Sequence, residues 1–235
     1  MPENVIETEL PVKRKPVVTL KPSRARDMAA IGRRFRRNRR AVLGAGLLII
    51  FILLAIFAPM IAPFSPDQQV LTDRLLPPGE AYLMGTDGLG RDIFSRTLHA
   101  SQISIPIGVF AMLVSVTVGV TIGTLSGYFG GWIDTLLMRL TDMLLAFPVF
   151  FLLLTVTTLF GRTIPVLILV LGLTSWGVNA RIVRGQVLSI KEKEFVEAAR
   201  SLGATNRGIV WRHIFPNILP VIIVDATLRV ALVIL

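Results

Sequence analysis

The residues best placed for chemistry fall in two clusters. One is Gly85–Arg96, GTDGLGRDIFSR, where Asp87, Arg91, Asp92 and Arg96 crowd around three glycines. The other is Asp225 and Arg229, four residues apart in an apolar stretch. A loop rich in Gly and Asp invites a phosphate or a calcium reading, and neither holds. No G-x-x-x-x-G-K-[ST] pattern occurs anywhere in the chain. An EF-hand loop starting at Asp87 needs Glu at its twelfth position, which is Leu98. What remains is a tight turn fixed by Gly88 and Gly90, with the Asp and Arg side chains bonded locally. Asp225 and Arg229 are expected to form an internal ion pair, the alternative being a place in a translocation pathway. No spacing of Ser, Asp and His sets a nucleophile beside a base, so no catalytic residue is assigned. The chain has no cysteine and two distant histidines, which argues against a metal site.

The elements that must position these residues are apolar. The 235 residues are 53% hydrophobic and 17% charged, with mean hydropathy +0.68, a balance that predicts a membrane protein with several spans. Net charge is +10, yet twelve of the 25 basic residues lie within Lys13–Arg40. That cluster directly precedes an uncharged run, so lipid headgroups explain it more simply than nucleic acid. The positive-inside rule keeps it in the cytoplasm.

Residues 1–40 therefore read as a basic cytoplasmic tail, and 41–62 as the first span, running outward. Residues 63–100 form a polar extracytoplasmic segment. Further spans are expected at about 101–127, 133–160, 164–188 and 214–235. Ser115, Gly119, Gly123 and Gly127 recur every fourth residue on one face of the second span, a spacing that lets helix backbones approach closely in lipid. The seam belongs either within this subunit or against a second one. In the third span Arg139 and Asp142 can pair at i, i+3, and Pro148 introduces a kink. Arg181 and Arg184 mark the cytoplasmic end of the fourth.

Charge alone thus places residues 191–213 inside the cell. Phe195, Ala198, Ala199 and Leu202 share one helical face there. Gly203 suits a left-handed helix end, and Thr205 or Asn206 can cap a second short helix running to Pro216. The pattern predicts a helix–Gly–helix elbow, either lying on the membrane surface or docking another protein.

The spelling of the elbow adds a resemblance. Glu197-Ala198-Ala199, three residues, then Gly203 is similar to the cytoplasmic "EAA" loop of permease subunits in bacterial ABC importers. The family's I-x-L-P that follows is altered: its slots hold His213, Phe215 and Pro216, with isoleucine displaced to Ile214. G-T-D-x-x-G-R-D-x-x-S-R, complete at Gly85–Arg96, resembles the segment before the second span in the "C"-type permeases of the dipeptide/oligopeptide/nickel group. The likeness covers roughly residues 33–235.

The resemblance implies an all-α polytopic bundle of the type I ABC importer kind. Five spans are recognisable, and a sixth is expected but absent from this chain. It implies a peptide permease in a bacterial or archaeal inner membrane, with nickel or another small solute as the alternative cargo. Implied partners are a homologous permease, two ATPase subunits, an extracytoplasmic solute-binding protein and membrane lipid. ATP and Mg would sit on the ATPases, with no cofactor on this chain. Glu197, Ala198, Ala199, Arg200, Leu202 and Gly203 would dock an ATPase. An ion-coupled carrier and a membrane scaffold are the rival classes.

Overall fold

A computed structural model of the chain describes residue 33 and residues 35–234. Residues 1–32 and Arg34 of the expected 1–40 tail, together with Leu235, lie outside the described residues. Two compact units divide at residues 51 and 52. The first contains the described residues of the basic run before α1 and most of α1 itself (Arg39–Ile56), an apolar helix long enough to cross a bilayer.

The second unit begins with the end of α1 and α2 (Ala58–Ile61), with Pro59 in its first turn. Then come α3 (Ile93–Phe129), α4 (Gly131–Ala146), α5 (Val149–Phe160) and α6 (Ile164–Lys191). Residues 191–213 form α7 (Glu194–Ser201) and α8 (Asn206–Ile209), and α9 (Phe215–Ile234) ends the described chain. Among the described residues the only β pairing is an isolated bridge between Thr86 and Asp92.

The stripe Ser115–Gly127 sits against α6. A Cβ on Gly119 would lie 2.5 Å from Asn179 Cβ, one on Gly123 2.5 Å from the Ala180 carbonyl, and one on Gly127 2.9 Å from the Arg184 carbonyl. Asn179 Nδ2 donates to Ser115 Oγ at 2.8 Å in the same seam. The partners advance along α6 as the glycines advance along α3, so the two helices run parallel.

That direction decides the path of the chain between them. Parallel helices must start on the same side of the membrane, so α4 and α5 together return the chain across it. They form one broken span. The expected single helix at 133–160 with a proline kink is corrected: the two pieces diverge by 81° at Phe147–Pro148. Pro148 has no N–H to continue α4 and instead precedes α5, accepting from Phe151 N at 3.1 Å. The expected Arg139–Asp142 pair is also corrected. Asp142 pairs with Arg181, and Asp134 takes two bonds from Arg184, each of 2.6 Å, so both acids reach across to α6.

Helix α3 starts at Ile93, eight residues before the expected start of the second span, and its 37 residues reach ~55 Å. That exceeds the ~30 Å hydrocarbon core, so its ends project beyond it.

Candidate functional site

The elbow between α6 and α9 is built largely from local rules. Helix α7 carries Glu194 and Glu197 in its first turn and Arg200 in its last, each matching the helix dipole. Gly203 then turns left-handed, with φ of 81°. Its N–H bonds to the Arg200 carbonyl at 3.0 Å and the Ala204 N–H to the Ala199 carbonyl at 3.1 Å, a closure that satisfies two orphan carbonyls. Of the two possible caps for α8, Thr205 serves: its Oγ1 accepts from Gly208 N at 3.2 Å. The second helix does not stop at Pro216. It passes through a π-helical turn at Val210–Ile214 into α9, so a helical run of 26 residues spans Asn206–Ala231.

One face of the elbow is sealed to the spans. Val196, Ile209, Ile214 and Ile218 are fully buried with Val187 and Ile190 of α6, beside Tyr128 at the end of α3. Two polar contacts reach the last turn of α3. Tyr128 Oη donates to Asn206 Oδ1 at 2.8 Å, and Lys191 Nζ donates to the Gly127 carbonyl at 3.0 Å. The hydrophobic face expected from periodicity is corrected: Val196 is the α7 residue that is buried, whereas Phe195, Ala198 and Leu202 are exposed. Leu202 is 88% exposed and Trp211 65%. Glu197, Arg200 and Gly203 are exposed with them, and Ala199 is half-buried. The residues singled out for docking therefore stand together on the outward side of a piece anchored from behind.

The Gly85–Arg96 motif is a folded clasp. Its left-handed glycines are Gly85 and Gly90, not Gly88. A Cβ at Gly90 would lie 1.9 Å from the Val70 carbonyl, and one at Gly85 2.4 Å from the Leu76 carbonyl. Thr86 Oγ1 accepts from Leu76 N at 2.9 Å and donates to the Asp73 carbonyl. Asp87 accepts from Leu89 N (2.8 Å), Arg91 N (3.0 Å) and Arg91 Nε (2.8 Å), and pairs with Arg96. The Arg91 backbone N–H is the main cause holding the Asp87 carboxyl far below the usual carboxylate range. The Leu89 N–H and the Arg91 guanidinium add to it, against partial burial. Asp92 caps α3, accepting from Ser95 N at 2.8 Å, and Ser95 Oγ accepts from Phe64 N at 3.1 Å. The motif thus fastens residues 64–92 onto the start of α3, and Asp92 Oδ1 is the one buried side-chain oxygen of this clasp that lacks a partner among the described residues.

Asp225 and Arg229 bond at 2.9 Å, and Arg229 Nη1 also donates to the Ser175 carbonyl of α6 at 3.4 Å. Among the described residues no three His, Cys, Asp or Glu converge as a metal site would need.

Residues 119–235 match the family described as binding-protein-dependent transport system inner membrane component. The chain belongs to that family. Residues 28–78 match the N-terminal TM domain of oligopeptide transport permease C. Among relatives of this inner membrane component, the oligopeptide transport system permease protein OppC of Mycobacterium tuberculosis is 40% identical over 205 residues, or 86% of this chain and 70% of the relative. The dipeptide transport system permease protein DppC of Bacillus subtilis is 38% identical over 198 residues, 84% of this chain and 62% of its own. The glutathione transport system permease protein GsiD of Escherichia coli is 41% identical over 199 residues, 84% and 66% respectively. As a member of this family the chain is a multi-pass membrane transport component.

Sequence reasoning missed Tyr128, Lys191 and Asn206. Asn206 enters the sequence reading only as a possible cap. The available signal was a polar residue just after the Thr205 cap, on the turn of α8 that Ile209 buries.

Proposed function

We propose that this chain is a permease subunit of an ATP-driven importer, forming part of a membrane path for di- or oligopeptides delivered by an extracytoplasmic binding protein. The observation that carries the proposal is the elbow. Its inner face is buried among the ends of α3, α6 and α9, and its Glu197–Gly203 edge is left open. Such a piece suits the transfer of force rather than chemistry. Separate ATPase subunits, holding ATP and Mg, seat the open edge. Their closure on ATP displaces the elbow as a rigid body, and the attached spans tilt to alternate access. A second, homologous permease completes the path. The peptide assignment is supported by the names of the relatives, whose cargoes are oligopeptides, dipeptides and glutathione. The same machinery would serve a nickel or other small-solute importer. The N-terminus and elbow lie in the cytoplasm, a topology supported by Arg181, Arg184 and the basic run before α1. An ion-coupled carrier is disfavoured, because Asp225, the acid within α9, is already paired with Arg229.

The test is coupling. Gly203→Asp or Ala199→Trp in the membrane-inserted assembly is expected to abolish peptide uptake and its stimulation of ATP hydrolysis while leaving basal hydrolysis in place. Normal uptake with normal stimulation in both variants would refute docking at this edge.

A further inference from the structure

We infer that the break between α4 and α5 lines the hydrated solute path, reached from the cytoplasm along the Arg139–Asp142–Ala146 face of α4. The inference rests on the transport reading above.

Depth comes first. Leu145, two residues before the break, lies against Gly177 at the middle of the 28-residue α6: a Cβ there would be 3.1 Å from Leu145 Cδ2. Independently, Ala111 at the middle of α3 lies level with Gly172, whose Cβ would be 3.0 Å from the Ala111 carbonyl. Helix α4 runs antiparallel to α6, so Phe147–Pro148 falls within about 5 Å of mid-depth whichever helix centres the bilayer.

Backbone chemistry comes second. The N–H groups of Val149 and Phe150 open a helix, and the last carbonyls of α4 close one, so neither set has a full complement of helical partners. Residues 146–151 are all exposed. Hydrocarbon cannot satisfy such groups, and irregular backbone at this depth is tolerated only against protein or water.

Charge decides between those two. Arg139, Asp142 and Ala146 stand at i, i+3 and i+7 on one face of α4. Arg139 is exposed, and the Asp142–Arg181 pair leaves the two side chains 58% and 53% exposed. Charges this open on the approach to the break fit water and not an apolar partner helix. Water along that face carries hydration up to the open peptide groups, where a peptide's own amides find both donors and acceptors. Phe147, Phe150 and Phe151 flank the site and offer contact without sequence selectivity.

The chain has no cysteine, so single thiols can be placed without background from this subunit. In inverted vesicles holding the whole assembly, Ala146→Cys and Phe147→Cys are compared with Leu113→Cys, an exposed α3 position at similar depth. The probe is a charged, membrane-impermeant methanethiosulfonate. Only the thiolate reacts, and apolar surroundings raise the thiol pKa, so the two break positions should react at least about tenfold faster than Leu113→Cys. Added dipeptide should slow them. Rates equal to that of Leu113→Cys at both positions would overturn the inference. ATP-driven uptake of a labelled dipeptide by the same vesicles reports on the transport reading separately. Uptake with unreactive thiols sinks the inference alone, and reactive thiols without uptake in the parent assembly sink the transport reading.

Discussion

Gly123→Ala puts the packing of α3 on α6 to a direct test. The new Cβ would stand 2.5 Å from the Ala180 carbonyl oxygen and 2.8 Å from Val183 Cβ. The first of these is helix backbone, which cannot rotate away. Ordinary contact begins near 3.4 Å, so the helices must part locally by about 0.9 Å. Overpacking of this kind costs about 1–3 kcal/mol. Alanine also favours helix over glycine by about 1 kcal/mol, which would mask part of the loss. Gly185→Ala removes that ambiguity: it lies in α6, is exposed, and has nothing within 4 Å of its Cβ position. The stability difference between the two variants should therefore be about 1–3 kcal/mol, with Gly123→Ala the weaker. Reversible denaturant or thermal titration of the solubilised protein measures it. A Gly123→Ala variant equal in stability to Gly185→Ala would mean that the helices are not in contact at this register.

Three further outcomes follow from single contacts. Tyr128→Phe and Asn206→Ala should each cost about 0.5–1.5 kcal/mol and weaken coupling of hydrolysis to uptake, with the double variant no worse than either single one in a double-mutant cycle. Asp87→Asn should speed amide exchange at Leu89 and Arg91 at neutral pH. Because folding depresses the Asp87 pKa below its ordinary 3.8, the carboxylate's contribution is full above that value and is lost as the pH falls below it, which an acid titration of the wild-type clasp by amide exchange would register. Arg229→Ala strands a mostly buried carboxylate and should destabilise the protein by about 3–5 kcal/mol, measured by denaturant titration, while Asp225→Ala/Arg229→Ala recovers much of the loss.

Much of this architecture was legible because lipid imposes strict rules on sequence. Uncharged runs marked the spans, and the period of four at Ser115–Gly127 marked a seam. The sequence could not say which helix would fill that seam, since small residues record closeness and not identity. Pro148 announced an interruption, but the 81° bend depends on how α4 and α5 lie against α6. Asp142 read as paired within its own helix, and Asp134 went unassigned, because spacing reveals only neighbours on the same element. Their partners, Arg184 and Arg181, lie across a tertiary contact. At the elbow, Gly203 and Thr205 were readable as a stop and a start because both follow from backbone chemistry. The buried face was misjudged by one position. Phe195 and Leu202 are the larger apolar side chains, and an exposed apolar face looks in sequence like a core.

The uninterrupted run from Asn206 to Ala231 has a geometric consequence. Its 26 residues make a rod roughly 39 Å long. Pivoting that rod by about 10° at its α8 end would swing the opposite tip by about 7 Å. A small tilt near the buried foot is thereby magnified into a displacement of several ångströms at the far end of the helix.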